Sequence, residues 1–383
     1  PMIRKSWMDN GPGTNNNLRG IDPFVAVSWD EAENIVAKEL NRVSENFGNS
    51  SIFGGSYGWA SAGRFHHAQS QLHRFLNCIG GYTRSKFTYS FAAAEAMVPH
   101  ILGSYRAYLD TCTSWDSIED NTELFVCFGG VPLKNGQIAQ GGTGSHNQKE
   151  KLISSAKAGI RFVNLSPLKS DLLDEVKGKW LPLRPNTDVA IMLGIAHTLY
   201  KENLYSEIFI KKYTEGFDNF LPYLLGDLDG VVKDANWASE ISEISSDEII
   251  SLARDMSSKR TMISVSWSLT RQDHGEQPFW AAIMLASMLG QIGLPGGGFG
   301  FGYSATNHIG GQFSVIPGAA FPQTDNKIDN FIPVARISDL LLNPGETFHF
   351  DGKEYEYPDI KLIYWAGGNP FHHHQDINKL LLA

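Results

Sequence analysis

Cysteine is scarce in this chain: Cys78, Cys112 and Cys127 are the three in 383 residues, and none stands in a CxxC spacing. That excludes a disulfide scaffold, a zinc ribbon and a Cys-ligated iron–sulfur cluster. Charge is thin as well. Charged residues make up 19%, and Lys+Arg at 32 against Asp+Glu at 41 leaves a net −9, which argues against binding nucleic acid through overall charge. Any anionic ligand must therefore be held by local donors. Long apolar runs are also missing. The most apolar stretch, Trp280 to Leu294, has 15 residues, contains Gly290 and Gln291, and runs into Pro295. It falls short of the roughly 20 residues a membrane span needs and reads as a buried helix. No signal peptide or targeting segment is recognisable. Because residue 1 is Pro and Leu380-Leu381-Leu382-Ala383 stop inside an apolar run, the expectation is a piece of a longer protein. The missing targeting segment then says little about location.

Glycine, by contrast, is abundant: 38 residues, near one in ten, against an average of about 7%. With 42% hydrophobic residues a sizeable core is available, and the length suits two α/β domains or one inserted in another. A helix is expected after the capping box Ser28…Glu31, with Ile35, Val36, Leu40 and Val43 as its apolar stripe. A short strand ends at Ile52-Phe53, followed by the Gly54–Gly58 turn and a helix buried through Phe65, Ala68, Leu72 and Leu76. Four further buried strands are expected at 124–128, 160–165, 261–266 and 360–365, separated by helices near 147–158, 189–201, 246–257 and 277–289. Strand–helix alternation predicts mostly parallel sheets, with ligands at the strands' carboxyl ends, where Gly, Asn, Ser and His collect.

Several motifs fail on inspection. Neither Gly142-Thr143-Gly144 nor Gly296–Gly302 completes GxGxxG, and no Gly-Lys is followed by Ser or Thr, so both phosphate-loop motifs are absent. Twelve histidines include no HExxH, and the consecutive His372-His373-His374 point in different directions, which suits a hydrogen-bonding loop better than chelation. Gly54-Gly55-Ser56-Tyr57-Gly58 matches GxSxG, so a serine hydrolase using Ser56 is the alternative reading. A strand–turn–helix connection needing small residues accounts for the same five positions and is preferred.

Four segments occur in order: Gly55-Ser56-Tyr57-Gly58-Trp59, Tyr89-Ser90, Trp267-Ser268 with Arg271–Gln277, and Gly367-Gly368-Asn369-Pro370-Phe371-His372-His373-His374-Gln375-Asp376. Together they resemble the molybdopterin oxidoreductases of the dimethyl sulfoxide reductase family. The similarity is greatest to the branch reducing dimethyl sulfoxide, trimethylamine N-oxide and biotin sulfoxide. The resemblance implies one molybdenum held by two molybdopterin guanine dinucleotides and removal of an oxygen atom from an S-oxide or N-oxide. Ser90 matches the protein ligand to the metal; a hard alkoxide suits a high-valent metal, whereas an isolated serine there would be an N-cap. Tyr57 and Trp59 match the pair that donates hydrogen bonds to the transferred oxygen, and Tyr57 points to the sulfoxide branches.

The same resemblance implies cofactor contacts at Trp59, Ala60 and Ser61, Ser90, Lys134 and Asn135, Leu165 and Ser166, Asn186, Thr187 and Asp188, Trp267, Ser268 and Arg271, and Asn369 and His373. One departure stands out: relatives carry Asp-Pro where this chain has Ser166-Pro167. The implied fold is two Rossmann-like α/β domains with mostly parallel sheets, one inserted in the other. The expected division is 126–301 inserted into 51–125 plus 302–383, with 1–50 the remnant of a further domain. The implied partners are the small-molecule oxide and an electron donor such as a cytochrome or reductase, with no nucleic acid and no membrane span. A periplasmic, anaerobic respiratory setting is expected, or a cytoplasmic one for a biotin sulfoxide reductase type.

Overall fold

The computed structural model describes residues 1–13, 18, 20–56, 66–136, 138, 143–315 and 319–383. The chain divides into two compact units, Thr88–Pro317 and a discontinuous one made of Pro1–Phe87 with Gly318–Ala383.

The continuous unit is built on a five-stranded sheet. Its order is Gly298–Phe301, Thr261–Val265, Leu124–Phe128, Arg161–Leu165, Lys179–Leu181, and every neighbouring pair is parallel. Helices cover both faces, so the central strands must be apolar on both sides, and all five residues of Leu124–Phe128 are buried. In register, Phe125 lies between Phe162 and Met262. Helix Gln148–Lys157 joins Leu124–Phe128 to Arg161–Leu165, and Gln277–Met288, apolar almost all round, precedes Gly298–Phe301. Helices Glu207–Tyr213, Ala235–Ser242 and Ser246–Ser258 start at Ser206, Asp234 and Ser245, each accepting from a first-turn N–H.

The division extends beyond the expected one. Residues 88–125 and 302–317 belong to this unit, because Phe91, Tyr105 and Trp115 pack in the same core as Phe125, Phe301 and Tyr303. Residues 1–50 group with the discontinuous unit.

That unit holds a four-stranded parallel sheet in the order Phe331–Pro333, Thr83–Lys86, Ile52–Gly55, Leu362–Trp365. Helix Trp29–Phe47 is capped as its sequence predicts, with the Ser28 hydroxyl accepting from the Glu31 N–H at 3.2 Å. Its stripe is narrower than expected. Leu40 and Val43 are buried with Ile52, Leu72, Leu76 and Tyr82, while Val36 is exposed. The hairpin Thr347–Phe350 and Lys353–Glu356 turns at Asp351-Gly352, both left-handed, as a two-residue Asp-Gly loop requires.

Candidate cofactor site

Parallel sheets bind ligands outside the carboxyl ends of their strands, where the strand order reverses. In Thr88–Pro317 that point lies between Leu124–Phe128 and Thr261–Val265, the strands from which the chain proceeds in opposite directions. The first runs into Gly129 and Gly130, both left-handed. The second runs into Ser266, whose N–H donates to the Phe128 carbonyl at 2.9 Å. Ser266 then caps the single 3-10 turn Trp267–Thr270, its hydroxyl accepting from the Ser268 N–H at 3.3 Å and from Ser268 Oγ at 2.9 Å. Ser268 and Arg271 are exposed at this edge. Arg271 Nη1 donates to the Ser90 carbonyl at 2.8 Å, and the guanidinium has no acidic partner among the described residues.

Two of the expected contacts have buried side chains. Trp267 is 6% exposed with its ring 4.3 Å from that of Phe91, and Leu165 is fully buried in the sheet. Both support the edge from behind.

The next strand along, Arg161–Leu165, ends at Ser166. Its hydroxyl is buried, donates to Asp171 Oδ2 at 2.7 Å and accepts from the Leu168 N–H at 3.2 Å. The other Asp171 oxygen faces the exposed Lys134 ammonium at 3.4 Å. Beyond the edge strand Lys179–Leu181, Asn186 takes a left-handed conformation and Thr187 Oγ1 donates to the Arg184 carbonyl at 2.6 Å. Asp188, the first residue of helix Asp188–Lys201, is buried, and burial pushes its carboxyl up to about 6. Asn135 lies in the 3-10 turn Leu133–Asn135.

Ser90 belongs to the same unit. It is half-buried and precedes the Ala92–Met97 helix without being its N-cap, which is Phe91. That sets aside the isolated-cap reading. Its N–H donates to Thr88 Oγ1 at 3.1 Å, and its carbonyl accepts from both Arg271 and, at 3.2 Å, Thr270 Oγ1. Its own hydroxyl meets no partner among the described residues.

In the discontinuous unit, Tyr57, Trp59, Ala60 and Ser61 lie outside the described residues, as does Phe65. They follow the strand Ile52–Gly55 in the chain. Asn369 follows the adjacent strand Leu362–Trp365, and its Oδ1 accepts from the Phe371 N–H at 3.0 Å to cap Pro370–His373. His372 and His373 are exposed, whereas His374 is buried with Nε2 2.8 Å from Ser338 Oγ. The three imidazoles do not act together. Gly55 is explained by packing, since a Cβ there would stand 2.2 Å from the Trp365 ring, so among the described residues nothing in the turn requires a nucleophile elbow at Ser56.

Sequence reading missed Thr88, Thr270 and Asp171. Thr270 had a signal, being next to Arg271; Asp171 had none, because a loop contact over five residues follows no period.

The chemistry of the donor set fits a dinucleotide polyanion. Lys134, Ser268 and Arg271 are exposed, and they leave the carboxyl ends of neighbouring strands in one sheet. A guanidinium free of carboxylates can grip phosphate oxygens in pairs.

Comparison with known proteins places the chain among curated relatives. The biotin sulfoxide reductase of Cereibacter sphaeroides is 46% identical over 99% of this chain and 51% of its own length. The dimethyl sulfoxide/trimethylamine N-oxide reductase of the same organism is 42% identical over 100% of this chain and 48% of its own. The trimethylamine-N-oxide reductase of Haemophilus influenzae is 43% identical, again over 100% and 48%. This chain thus spans about half the length of the curated relatives it matches. Residues 1–382 match the molybdopterin oxidoreductase family. With that match across the whole of both units, the chain belongs to the molybdopterin oxidoreductases.

Proposed function

We propose that the protein reduces S-oxides or N-oxides by removing their oxygen atom, using molybdenum held by two molybdopterin guanine dinucleotides. The observation that carries this reading is the 46% identity over 99% of the chain to a biotin sulfoxide reductase. Ser90, with its hydroxyl unpartnered among the described residues, supports it. When bound, the molybdenum–dithiolene centre supplies two-electron oxygen-atom transfer.

The chain's own residues do the rest. Ser90 offers its hydroxyl oxygen as the protein ligand. Lys134, Ser268 and Arg271 offset phosphate charge and fix the dinucleotides in place. Asn186, exposed beyond the edge strand, presents hydrogen-bonding groups suited to a ribose or a guanine edge. The resemblance would give Asn369 and His373 a part in holding the cofactor, and Tyr57 and Trp59 the role of hydrogen-bond donors to the oxygen being removed. In balance, the oxide takes up two electrons and two protons and yields the sulfide or amine and one water, with electrons from a cytochrome or a reductase. Tyr57 favours an S-oxide, and a respiratory role in the periplasm is the setting we favour.

Metal analysis after expression in a host that makes the cofactor tests this. Stoichiometric molybdenum and reduced-viologen oxidation by biotin sulfoxide, dimethyl sulfoxide or trimethylamine N-oxide are expected. Only trace molybdenum and tungsten would overturn it.

A further inference from the structure

Both backbone polar groups of Ser90 are held by side chains, the N–H by a local ST-turn contact and the carbonyl by donors far away in sequence. The Ser90 N–H donates to Thr88 Oγ1 at 3.1 Å. Its carbonyl accepts from Arg271 Nη1 at 2.8 Å and Thr270 Oγ1 at 3.2 Å, 181 and 180 residues away in sequence. Thr270 shares its single hydroxyl proton with the Trp267 carbonyl at 2.8 Å, so Arg271 is the firmer of the two donors.

The far end of this clamp is rigid. Arg271 is fixed by its own N–H to the Ser268 carbonyl at 3.0 Å, Ser268 is capped by Ser266, and Ser266 is tied to the Phe128 carbonyl at 2.9 Å. A continuous hydrogen-bonded path thus runs from the centre of the sheet to the Ser90 peptide.

We infer that Thr88 and Arg271 are positioning residues for Ser90: they immobilise its peptide on both sides so that its hydroxyl is presented in one place. The inference rests on the reading of Ser90 as a metal ligand. It gives Arg271 a second duty, because one Nη1 proton is spent on Ser90 while the other guanidinium donors remain for an anion. A serine whose hydroxyl must meet a metal at bond distance gains from such pre-ordering, since the loop is not left to order itself on binding.

The test uses Thr88→Val, Thr88→Ser and Arg271→Ala in the full protein, with two readouts. The first is hydrogen–deuterium exchange of the segment containing Ser90 in metal-free protein. Exchange is expected about tenfold faster in T88V, the factor for one lost amide hydrogen bond, restored in T88S, and faster than wild type in R271A, where the Ser90 loop loses the anchor of its carbonyl. The second is the electron paramagnetic resonance spectrum of molybdenum-loaded protein. T88V is expected to shift toward the spectrum of Ser90→Ala, and T88S to match the wild type. Unchanged exchange in T88V and R271A, or a wild-type spectrum in fully loaded T88V, would overturn the inference. If R271A lowered molybdenum content but left exchange unchanged, Arg271 would be a cofactor contact only, and its positioning role would fall. Wild-type protein that takes up no molybdenum would instead sink the proposed function, while the exchange readout still decides the clamp.

Discussion

Ser166 Oγ donates to Asp171 Oδ2 at 2.7 Å, which places a carboxylate five residues downstream of the position where the family resemblance implies an Asp. The Asp171 side chain is only 14% exposed and also faces Lys134. The strand end therefore has a carboxylate beside it, delivered from the loop.

Ser166→Ala removes a buried hydroxyl that both donates to a carboxylate and accepts the Leu168 N–H. The expected cost is about 1–3 kcal/mol in urea unfolding, because a charged acceptor and a backbone donor both lose their partner. A change within the error of the wild-type midpoint would show that the Asp171 loop does not depend on this bond.

The thiols are expected to fall into three classes. Cys78 is exposed, Cys112 intermediate and Cys127 buried, and burial pushes the Cys112 and Cys127 thiols up, away from the reactive thiolate. Ellman titration of native protein should show one fast thiol, lost in Cys78→Ser, and all 3 thiols only after denaturation. Rapid labelling of Cys127 in native protein would contradict the central-strand placement.

Where a side chain's role follows from a period or a cap, the sequence was readable. The apolar runs at 124–128 and 261–265 became central strands because both faces of a covered parallel sheet must be apolar. The Ser28 cap is equally local. Strands such as Lys179–Leu181 and Thr83–Lys86 were not readable: Lys179 and Arg84 carry charge, and these strands form only by pairing with a neighbour already in place. The site divided in the same way. Ser268 and Arg271 stand at an edge any parallel sheet would offer, whereas the Thr88–Ser90–Arg271 clamp joins positions about 180 residues apart and leaves no pattern in sequence. Trp267, expected at the cofactor, is held in the core by Phe91.

Gly302→Ala should be among the most damaging small substitutions. Gly302 has a φ of 82°, and a Cβ would stand 2.0 Å from Trp267 Nε1 and 2.5 Å from Cε2 of the same ring. The left-handed backbone costs an L side chain about 1 kcal/mol, and forcing a buried indole aside adds about 1–3. Thermal unfolding should drop accordingly, by several degrees. If Gly302→Ala were neutral, Trp267 would have to be free to move, which its packing on Phe91 denies.

Asp188 gives the clearest pH signature. Burial raises its carboxyl from 3.8 to about 6 in the folded chain, so between those values the folded state binds more protons than the unfolded one. Stability is then fully present only below pH 3.8 and is lost as pH rises through about 6, because above that the charged form sits buried. The shift corresponds to about 2–3 kcal/mol at pH 7. Asp188→Asn keeps the shape and cannot ionise. In metal-free protein the variant should match the wild type below pH 3.8 and exceed it by about that amount at pH 7. Urea titrations at several pH values read this difference directly. A difference that stayed flat across the range would mean that the Asp188 carboxylate is solvated or paired when charged, and that its buried position does not penalise the ion.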